Sequence, residues 1–318
     1  MSFTILGTGR QAPEFVLDNA RLTEMMDTSD EWIVTRTGIR QRHICTAESL
    51  EDLASKAGLA ALEMAGLDPA EVDLILCATM QGDYITPSLA CMVQKRIGAA
   101  CPAMDLNAAC SGFIYALDVA AGYYARGTVK HVLVIAAERM SKYLDWEDRS
   151  TCVLFGDGAG AVVLGPGDGL LATYLSAEGN EAFLNIPGTP GGFPGASPTP
   201  SRQRLFMNGP EVYRFAVLAL CSSLETVMKR ARVTMDRIRY VVAHQANRRI
   251  LEAAQARLSI AAEKMVWGVD RYGNTSCASI PLLLDEICRA KALRKGDLLL
   301  LSAFGGGLTA GAALIQWG

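Results

Sequence analysis

Histidine is scarce in this 318-residue chain. His43, His131 and His244 lie far apart, and none has a second histidine or a cysteine at metal-ligand spacing, so a resident metal is not expected. The nine cysteines fall at irregular intervals with no Cys-x-x-Cys pair. That pattern fits neither a secreted disulfide framework nor a zinc site, and reduced thiols are expected. Long apolar runs are missing too. Stretches such as Leu74–Ala78, Val132–Ala137 and Leu298–Ala303 fall far short of the roughly 20 residues that span a bilayer, so no membrane association is expected. The opening Met1-Ser-Phe-Thr-Ile-Leu-Gly-Thr-Gly9 lacks the basic stretch and sustained apolar segment of an export signal, which leaves the cytoplasm as the expected compartment. Charge of one sign is not in excess. The net charge of −3 argues against whole-surface binding of nucleic acid.

With 50% apolar and 20% charged residues, the chain can bury a large core. Its short apolar runs suit fully buried strands, and they recur. Glu71-Val-Asp-Leu-Ile-Leu-Cys-Ala-Thr-Met-Gln81 resembles Arg237-Ile-Arg-Tyr-Val-Val-Ala-His-Gln-Ala-Asn247, and His131–Glu138 resembles Asp297–Phe304, both at a separation of 166 positions. Between them, the turn around Cys110 aligns within a residue of Asn274-Thr-Ser-Cys-Ala-Ser279, and each is followed by an apolar helix carrying Leu-Asp. One offset shared by three elements marks an internal duplication. Alternating strands and helices then predict an α/β protein of two pseudo-duplicated halves, residues 1–166 and 167–318, stacked as α-β-α-β-α layers. A matching last strand, Gly158–Leu164 against Thr309–Ile315, is offset by only 151 positions. The first half therefore carries an insertion, Arg139–Cys152, expected at the surface or an interface. The Gly/Pro/Ser-rich stretch Ile186–Arg202 predicts a long loop.

Ligands of α/β sheets gather at the carboxyl ends of strands, and Cys110, His244, Asn274 and Phe304-Gly-Gly-Gly307 all follow strand-like runs. Cys110 precedes the helix-period positions Phe113, Leu117 and Ala120. A thiol at a helix N-terminus meets unpaired N–H groups and the positive end of the dipole, so its pKa is expected to fall from about 8.5 towards neutrality. Taken singly, each residue has a plain structural reading: a core cysteine, a strand-end histidine, a turn or N-cap asparagine. Together they supply one nucleophile and two hydrogen-bond donors, and the glycine turn adds main-chain N–H groups for a developing oxyanion. Phe155-Gly-Asp-Gly-Ala-Gly160 lacks the ending of a phosphate loop and the dinucleotide spacing, so it reads as a closely packed turn. Thr28 to Gly38 predicts a short helix, with Thr28 and Glu31 spaced as a capping box and Gly38 near its C-terminal end.

In this order, the Cys110 turn, His244-Gln-Ala-Asn247, Gly273-Asn-Thr-Ser276, Phe304–Gly307, Phe155–Gly160 and Asp27–Arg40 resemble β-ketoacyl-acyl-carrier-protein synthase III. These are the thiolase-fold condensing enzymes that initiate type II fatty-acid synthesis, and the resemblance runs the length of the chain. It implies a catalytic triad of Cys110, His244 and Asn274, with Cys110 acylated by an acyl-CoA primer that is then condensed with malonyl-acyl-carrier protein. It implies an oxyanion site at the N–H groups of Cys110 and Gly306, and an apolar wall from Phe304. Thr28, Trp32, Arg36 and Arg149 are implied at the CoA nucleotide, with Trp32 stacked on the adenine and Arg149 on its other face; Asn247 and Arg249 are implied along the pantetheine tunnel. Arg214, Arg248, Arg249 and Arg257 are implied as a basic rim for the carrier protein. A homodimer is implied, and no cofactor, acyl-CoA being a substrate. Where many relatives have a bulky aromatic, Thr86 stands at the partner's acyl pocket, which implies room for longer or branched primers. The Phe-Thr-Trp usual after the glycine turn is Leu308-Thr309-Ala310 here.

Other readings share parts of this set. A secondary-metabolite ketosynthase or an acyltransferase of the same fold would carry the same triad. A papain-type cysteine hydrolase also uses Cys, His and Asn in that order, but the duplication and the missing Cys-Gly-Ser-Cys-Trp signature count against it. A non-catalytic partner subunit usually lacks the nucleophile, and Cys110 is present.

Overall fold

Apolar runs become strands and the amphipathic stretches between them become helices in the computed structural model, which describes residues 2–188 and 204–318. In the first half, β1 (Ser2–Gln11) leads to a short pair, β2 (Val16–Asp18) and β3 (Gln41–His43), which brackets α1 (Asn19–Met25) and α2 (Asp30–Thr37). Then follow α3 (Leu50–Ala65), β4 (Leu74–Ala78), α4 (Leu89–Ile97), β5 (Ala103–Leu106), α5 (Gly112–Ala125), β6 (Val132–Glu138) and β7 (Gly158–Gly167). The second half runs β8 (Leu170–Asn180), β9 (Leu184–Asn185), β10 (Phe206–Met207), α6 (Gly209–Ala231), β11 (Ile238–Ala243) and α7 (Arg248–Arg257). It ends with α8 (Val269–Tyr272), α9 (Ser279–Arg289), β12 (Leu298–Gly305) and β13 (Gly307–Gln316).

The two large sheets have the orders β1-β7-β6-β4-β5 and β8-β13-β12-β11. In each, one parallel pair (β4/β6, β11/β12) is followed by an antiparallel return (β6/β7, β12/β13). Ala137 faces Ala159 in the first sheet and Ala303 faces Gly311 in the second. The register thus reproduces the 166-residue repeat for β6 and β12, and places β13 one residue further along than the motif alignment predicts. The counterpart of β5 is reduced to a single bridge between Val241 and Met265.

Every residue of β4, β6 and β12 is buried, as expected of strands with helices on both sheet faces. Phe113 and Leu117 of α5 and Ile280 and Leu283 of α9 share one core with Leu76 and Val134 of the first sheet and Leu299 and Leu301 of the second. These two helices form the middle layer. Leu53 of α3 and Val93 of α4 cover the outer face of the first sheet, and Leu220 of α6 and Leu251 of α7 that of the second. The layering is α-β-α-β-α.

Two sequence expectations change, and a third is not tested. The insertion Arg139–Cys152 is not a surface element alone, because Met140, Tyr143, Leu144 and Cys152 are buried against Leu17, Leu22 and Ile33. Helix α2 is capped not by Thr28 but by Ser29, whose hydroxyl accepts from the Trp32 N–H; Gly38 closes the helix at φ 77°, a left-handed angle that glycine adopts freely. All but the first three residues of the expected Ile186–Arg202 loop lie outside the described residues.

Candidate active site

After β5 the chain enters a 3-10 turn, Ala109–Ser111, that delivers Cys110 to the start of α5. Ala109 has φ 46°, a left-handed value uncommon for any residue but glycine, and its N–H donates to Asn107 Oδ1 at 3.1 Å. The duplicated turn, Ser276–Ala278, leads into α9 in the same way, with Ser276 at φ 52°. Cys277 therefore occupies the place of Cys110 in the copy. Its thiol points instead to Ala78 O at 3.2 Å, away from solvent. Of the two duplicated cysteines, Cys110 lines a cavity of about 1370 Å³, shared with His244, Asn274 and Phe304–Thr309.

His244 follows β11, and its N–H extends the parallel pairing by donating to Ser302 O at 2.8 Å. Its Nδ1 lies 3.0 Å from Ser279 Oγ. That hydroxyl donates its one proton to Ser276 O at 2.9 Å and accepts from Thr275 Oγ1 at 3.3 Å. Ser279 Oγ is then an acceptor towards the ring, so Nδ1 carries the hydrogen and Nε2 the lone pair. Burial pushes the pKa of His244 down to about 3, and the ring is neutral. Phe304, itself buried, meets it edge-on with centroids 5.2 Å apart.

Asn274 is held on both sides of its peptide: its N–H donates to Leu154 O at 2.8 Å and its carbonyl accepts from Gly156 N at 3.0 Å. This is the close packing expected of the Phe155–Gly160 turn. Asn274 Oδ1 accepts from Ser276 N at 2.9 Å, which leaves the side-chain NH₂ as the donor end.

The glycine turn reaches Cys110 through its backbone. A Cβ at Gly305 would lie 2.7 Å from Cys110 N, so no other residue fits. Thr309 Oγ1 ties the two turns together, lying 3.0 Å from Ala108 O, 3.1 Å from Ser111 Oγ and 3.1 Å from Gly306 O.

The expected acidic thiol is not found. Cys110 is only 9% exposed, and loss of hydration pushes its pKa up to about 12; a hydrogen bond with the Ser276 side chain opposes this, and the nearby Glu138 carboxyl adds to it. The helix N-terminus is present, but burial outweighs it. A protonated resting thiol needs a proton acceptor, and a neutral imidazole with a free Nε2 is one.

The remaining predicted residues divide into groups. Arg36 and Arg149 both lie on Trp32, with guanidinium carbons 4.6 and 5.2 Å from the ring centroid, and Arg149 Nη1 donates to Asp27 O at 2.6 Å. Thr28 Oγ1 is buried beside them with no hydrogen-bond partner among the described residues. Asn247 caps α7 and donates to Arg36 O at 3.1 Å, joining this cluster to the cavity that Asn247, Arg249 and Arg214 line. Arg248 is paired with Glu252 and lies over Trp267, while Arg257 is at the other end of α7, away from the cavity lining. Thr86 is exposed beside Tyr84 and Ile85 and does not line the cavity of a single chain. Buried Leu308 does. Sequence reasoning missed Glu138, Ser279, Gly305 and Thr309 as individual contributors. For Glu138 the signal was legible, an acid ending an otherwise apolar strand.

The layered fold, with cysteine, histidine and asparagine gathered in one cavity, defines a condensing enzyme of thiolase fold. Two family models match, 3-oxoacyl-[acyl-carrier-protein] synthase III at residues 104–179 and its C-terminal part at residues 228–317. The β-ketoacyl-[acyl-carrier-protein] synthase III of Xylella fastidiosa is 46% identical over 98% of both chains. The crystal structure of the Aquifex aeolicus 3-oxoacyl-[acyl-carrier-protein] synthase III superposes with a TM-score of 0.93 at 43% identity, covering 99% of this chain and 100% of that one. A priming β-ketosynthase from the R1128 polyketide biosynthetic pathway superposes at 0.91 with 34% identity, covering 99% and 96%. The chain belongs to the β-ketoacyl-[acyl-carrier-protein] synthase III family.

Proposed function

We propose that this enzyme condenses an acyl-CoA primer with malonyl-acyl-carrier protein, releasing carbon dioxide and giving a 3-oxoacyl-carrier protein, through an acyl group held on Cys110. This is the reaction that initiates type II fatty-acid synthesis. The observation that carries the reading is the convergence of a thiol, a neutral imidazole and a free amide NH₂ beside the Gly305–Gly306 backbone in one cavity.

The cycle closes on its protons. Cys110 Sγ attacks the thioester carbonyl as its proton moves to His244 Nε2; the bond to the CoA sulfur breaks, and His244 passes that proton to the leaving CoA sulfur. The N–H groups of Cys110 and Gly306 hold the oxyanion. Malonyl-carrier protein then enters, and its carboxylate is lost as carbon dioxide, the electron pair passing to the thioester enolate. Asn274 Nδ2 donates to the enolate oxygen, and His244 Nε2, protonated from solvent as that charge develops, donates beside it. The enolate carbon attacks the acyl-enzyme, Cys110 leaves as thiolate, and His244 returns its proton. Phe304, edge-on to His244, gives the malonyl carboxylate an apolar wall that favours its loss.

Trp32, flanked by two guanidinium groups, is a platform for the CoA adenine, with Thr28, Arg36 and Arg149 around it. Asn247 and Arg249 line the way from there to Cys110. For the acidic carrier protein, Arg214 and Arg249 at the cavity are favoured over Arg248, already paired, and over the distant Arg257. The exposed Tyr84, Ile85 and Thr86 support a homodimer in which a second copy covers this tip. The enzyme is assigned to the cytoplasm and needs no cofactor.

The test is a reconstituted condensation. Purified protein with acetyl-, isobutyryl- or octanoyl-CoA and malonyl-carrier protein should give the 3-oxoacyl-carrier protein and one carbon dioxide per turnover, and Cys110→Ala should give neither. Product only with a carrier protein from a polyketide pathway would assign the same chemistry to that pathway instead.

A further inference from the structure

Arg42 is a buried cation that does not line the cavity. It lies on β3 with 0% exposure. Its Nη1 donates to Asn19 Oδ1 at 2.8 Å and Leu17 O at 3.2 Å, and its Nη2 donates to Val153 O at 2.6 Å. A guanidinium holds its donors in one rigid plane, so the two ends of this link cannot shift independently. At one end is the helix that carries Trp32 and Arg36. Asn19, accepting from Arg42, donates through Nδ2 to Asp30 Oδ1 and Ile39 O, both at 2.8 Å. Asp30 opens α2 and Ile39 follows its closing Gly38, so one buried amide grips the helix at both ends. At the other end is Asn274. Val153 O is one residue before Leu154, whose carbonyl accepts from Asn274 N at 2.8 Å, while Gly156 N donates to Asn274 O at 3.0 Å. The stem of Arg42 packs on the same bridge: a Cβ at Gly156 would lie 3.1 Å from Arg42 Cβ, and one at Gly273 3.3 Å.

Resting on the readings of Trp32 as the CoA platform and Asn274 as a donor to the malonyl thioester, we propose that Arg42 is a positioning residue for both, bracing α2 against the Asn274 turn. It touches neither substrate. The nucleotide is held in the first half-reaction and the thioester oxygen in the second, so one buried side chain serves both steps. Packed and hydrogen-bonded contacts of this kind carry coupling between separated sites. Burial lowers the pKa of Arg42 to about 10, so the guanidinium keeps every donor at neutral pH. Lysine would keep the charge but lose the brace, because a single ammonium on a flexible stem has no planar fork to span two acceptors. The Cys110 turn stands apart. None of the Arg42 hydrogen bonds reaches it, and it is held instead by Asn107 and Thr309.

The test compares wild type, Arg42→Lys and Asn19→Ala by three readouts: the Kd of CoA from calorimetry, the rate at which saturating malonyl-carrier protein discharges the acetyl-enzyme, and the rate of Cys110 alkylation by iodoacetamide. Arg42→Lys should weaken CoA binding about tenfold and slow discharge about tenfold, a hydrogen bond lost at each end, with alkylation within about twofold of wild type. Asn19→Ala cuts the brace at the helix alone and should weaken CoA binding about tenfold with discharge within about twofold. In Arg42→Lys, wild-type values of both Kd and discharge, or a change in only one of them, would overturn the proposal. An equal loss in all three readouts, the mark of a loosened core, would overturn it too. Should Arg42→Lys fail to fold, hydrogen exchange decides. Adenosine 3′,5′-bisphosphate, which has no arm to enter the cavity, should slow exchange at the Gly156 and Asn274 amides of the wild type but not of saturated Asn19→Ala. No protection in the wild type, or equal protection in both, would overturn the proposal. A wild type that binds no CoA or forms no acetyl-enzyme fails the underlying reading instead, and does so before any variant is compared.

Discussion

Gly305→Ala tests whether the glycine turn is shaped by its contact with the nucleophile. The added Cβ would lie 2.7 Å from Cys110 N, 3.1 Å from its Cβ and 3.2 Å from its Cα, whereas ordinary contact begins at 3.4 Å. Turn and amide must separate by about 0.7 Å, the difference between 3.4 and 2.7 Å. No flexible side chain can absorb it, because the atom met first is backbone. Overpacking of this kind costs about 1–3 kcal/mol of stability. Displacing one oxyanion donor costs about 2.7–4 kcal/mol of barrier, roughly 10²–10³ in rate. The internal control is Gly306→Ala, whose Cβ would meet Leu184 Cγ first, at 3.6 Å, and whose N–H is retained. Urea unfolding and the single-turnover rate of Cys110 acylation by acetyl-CoA should therefore separate the two. Gly305→Ala loses about 10²-fold or more in rate and Gly306→Ala stays within about threefold. A Gly305→Ala enzyme with wild-type stability and acylation rate would refute the assigned geometry.

Two further outcomes follow from the polar groups behind the triad. Ser279→Ala removes the acceptor for His244 Nδ1–H, and should slow acylation about fivefold to tenfold and alter its pH profile while leaving CoA affinity unchanged. Stability should respond to pH in opposite senses at the two perturbed groups. His244 titrates near 3 folded and 6.5 unfolded, so its contribution is full above pH 6.5 and is lost as pH falls, on the order of 2 kcal/mol by pH 5. Glu138, near 8 folded and 4.5 unfolded, contributes fully below pH 4.5 and loses that contribution as pH rises through 8. Urea titrations at several pH values should lose the first dependence in His244→Asn and the second in Glu138→Gln.

The architecture was legible because buried parallel strands leave a strong mark, and their repetition at one offset gave the layering before any contact was known. That Cys110, His244 and Asn274 share one cavity was legible as well, since Cys110 and His244 follow the strands β5 and β11, while Asn274, which follows α8 and not the strand-like run expected, opens the duplicated copy of the Cys110 turn. What was not legible depended on surroundings. Sequence places Cys110 at a helix N-terminus, but only the packed structure shows that the sulfur has lost its water and that burial dominates. Likewise the duplication alone does not separate Cys110 from Cys277, which sit in two nearly equivalent turns; the family resemblance singled out Cys110. In the fold the Cys110 thiol faces the cavity and the Cys277 thiol faces Ala78 O. The α2 cap moved from Thr28 to Ser29 because either of two adjacent hydroxyl residues can cap a helix, although only Thr28 has a glutamate three residues on. Glu138 had a sequence signal, but its partner Ser276 lies 138 positions away, and only the fold brings the two together.

The most direct test of the central claim is intact-mass analysis of the protein after incubation with acetyl-CoA, followed by mapping of the modified peptide. One acetyl group per chain is expected, located on Cys110, absent in Cys110→Ala and discharged on addition of malonyl-carrier protein. An unmodified wild-type protein, or an acetyl group on any other residue, would contradict it.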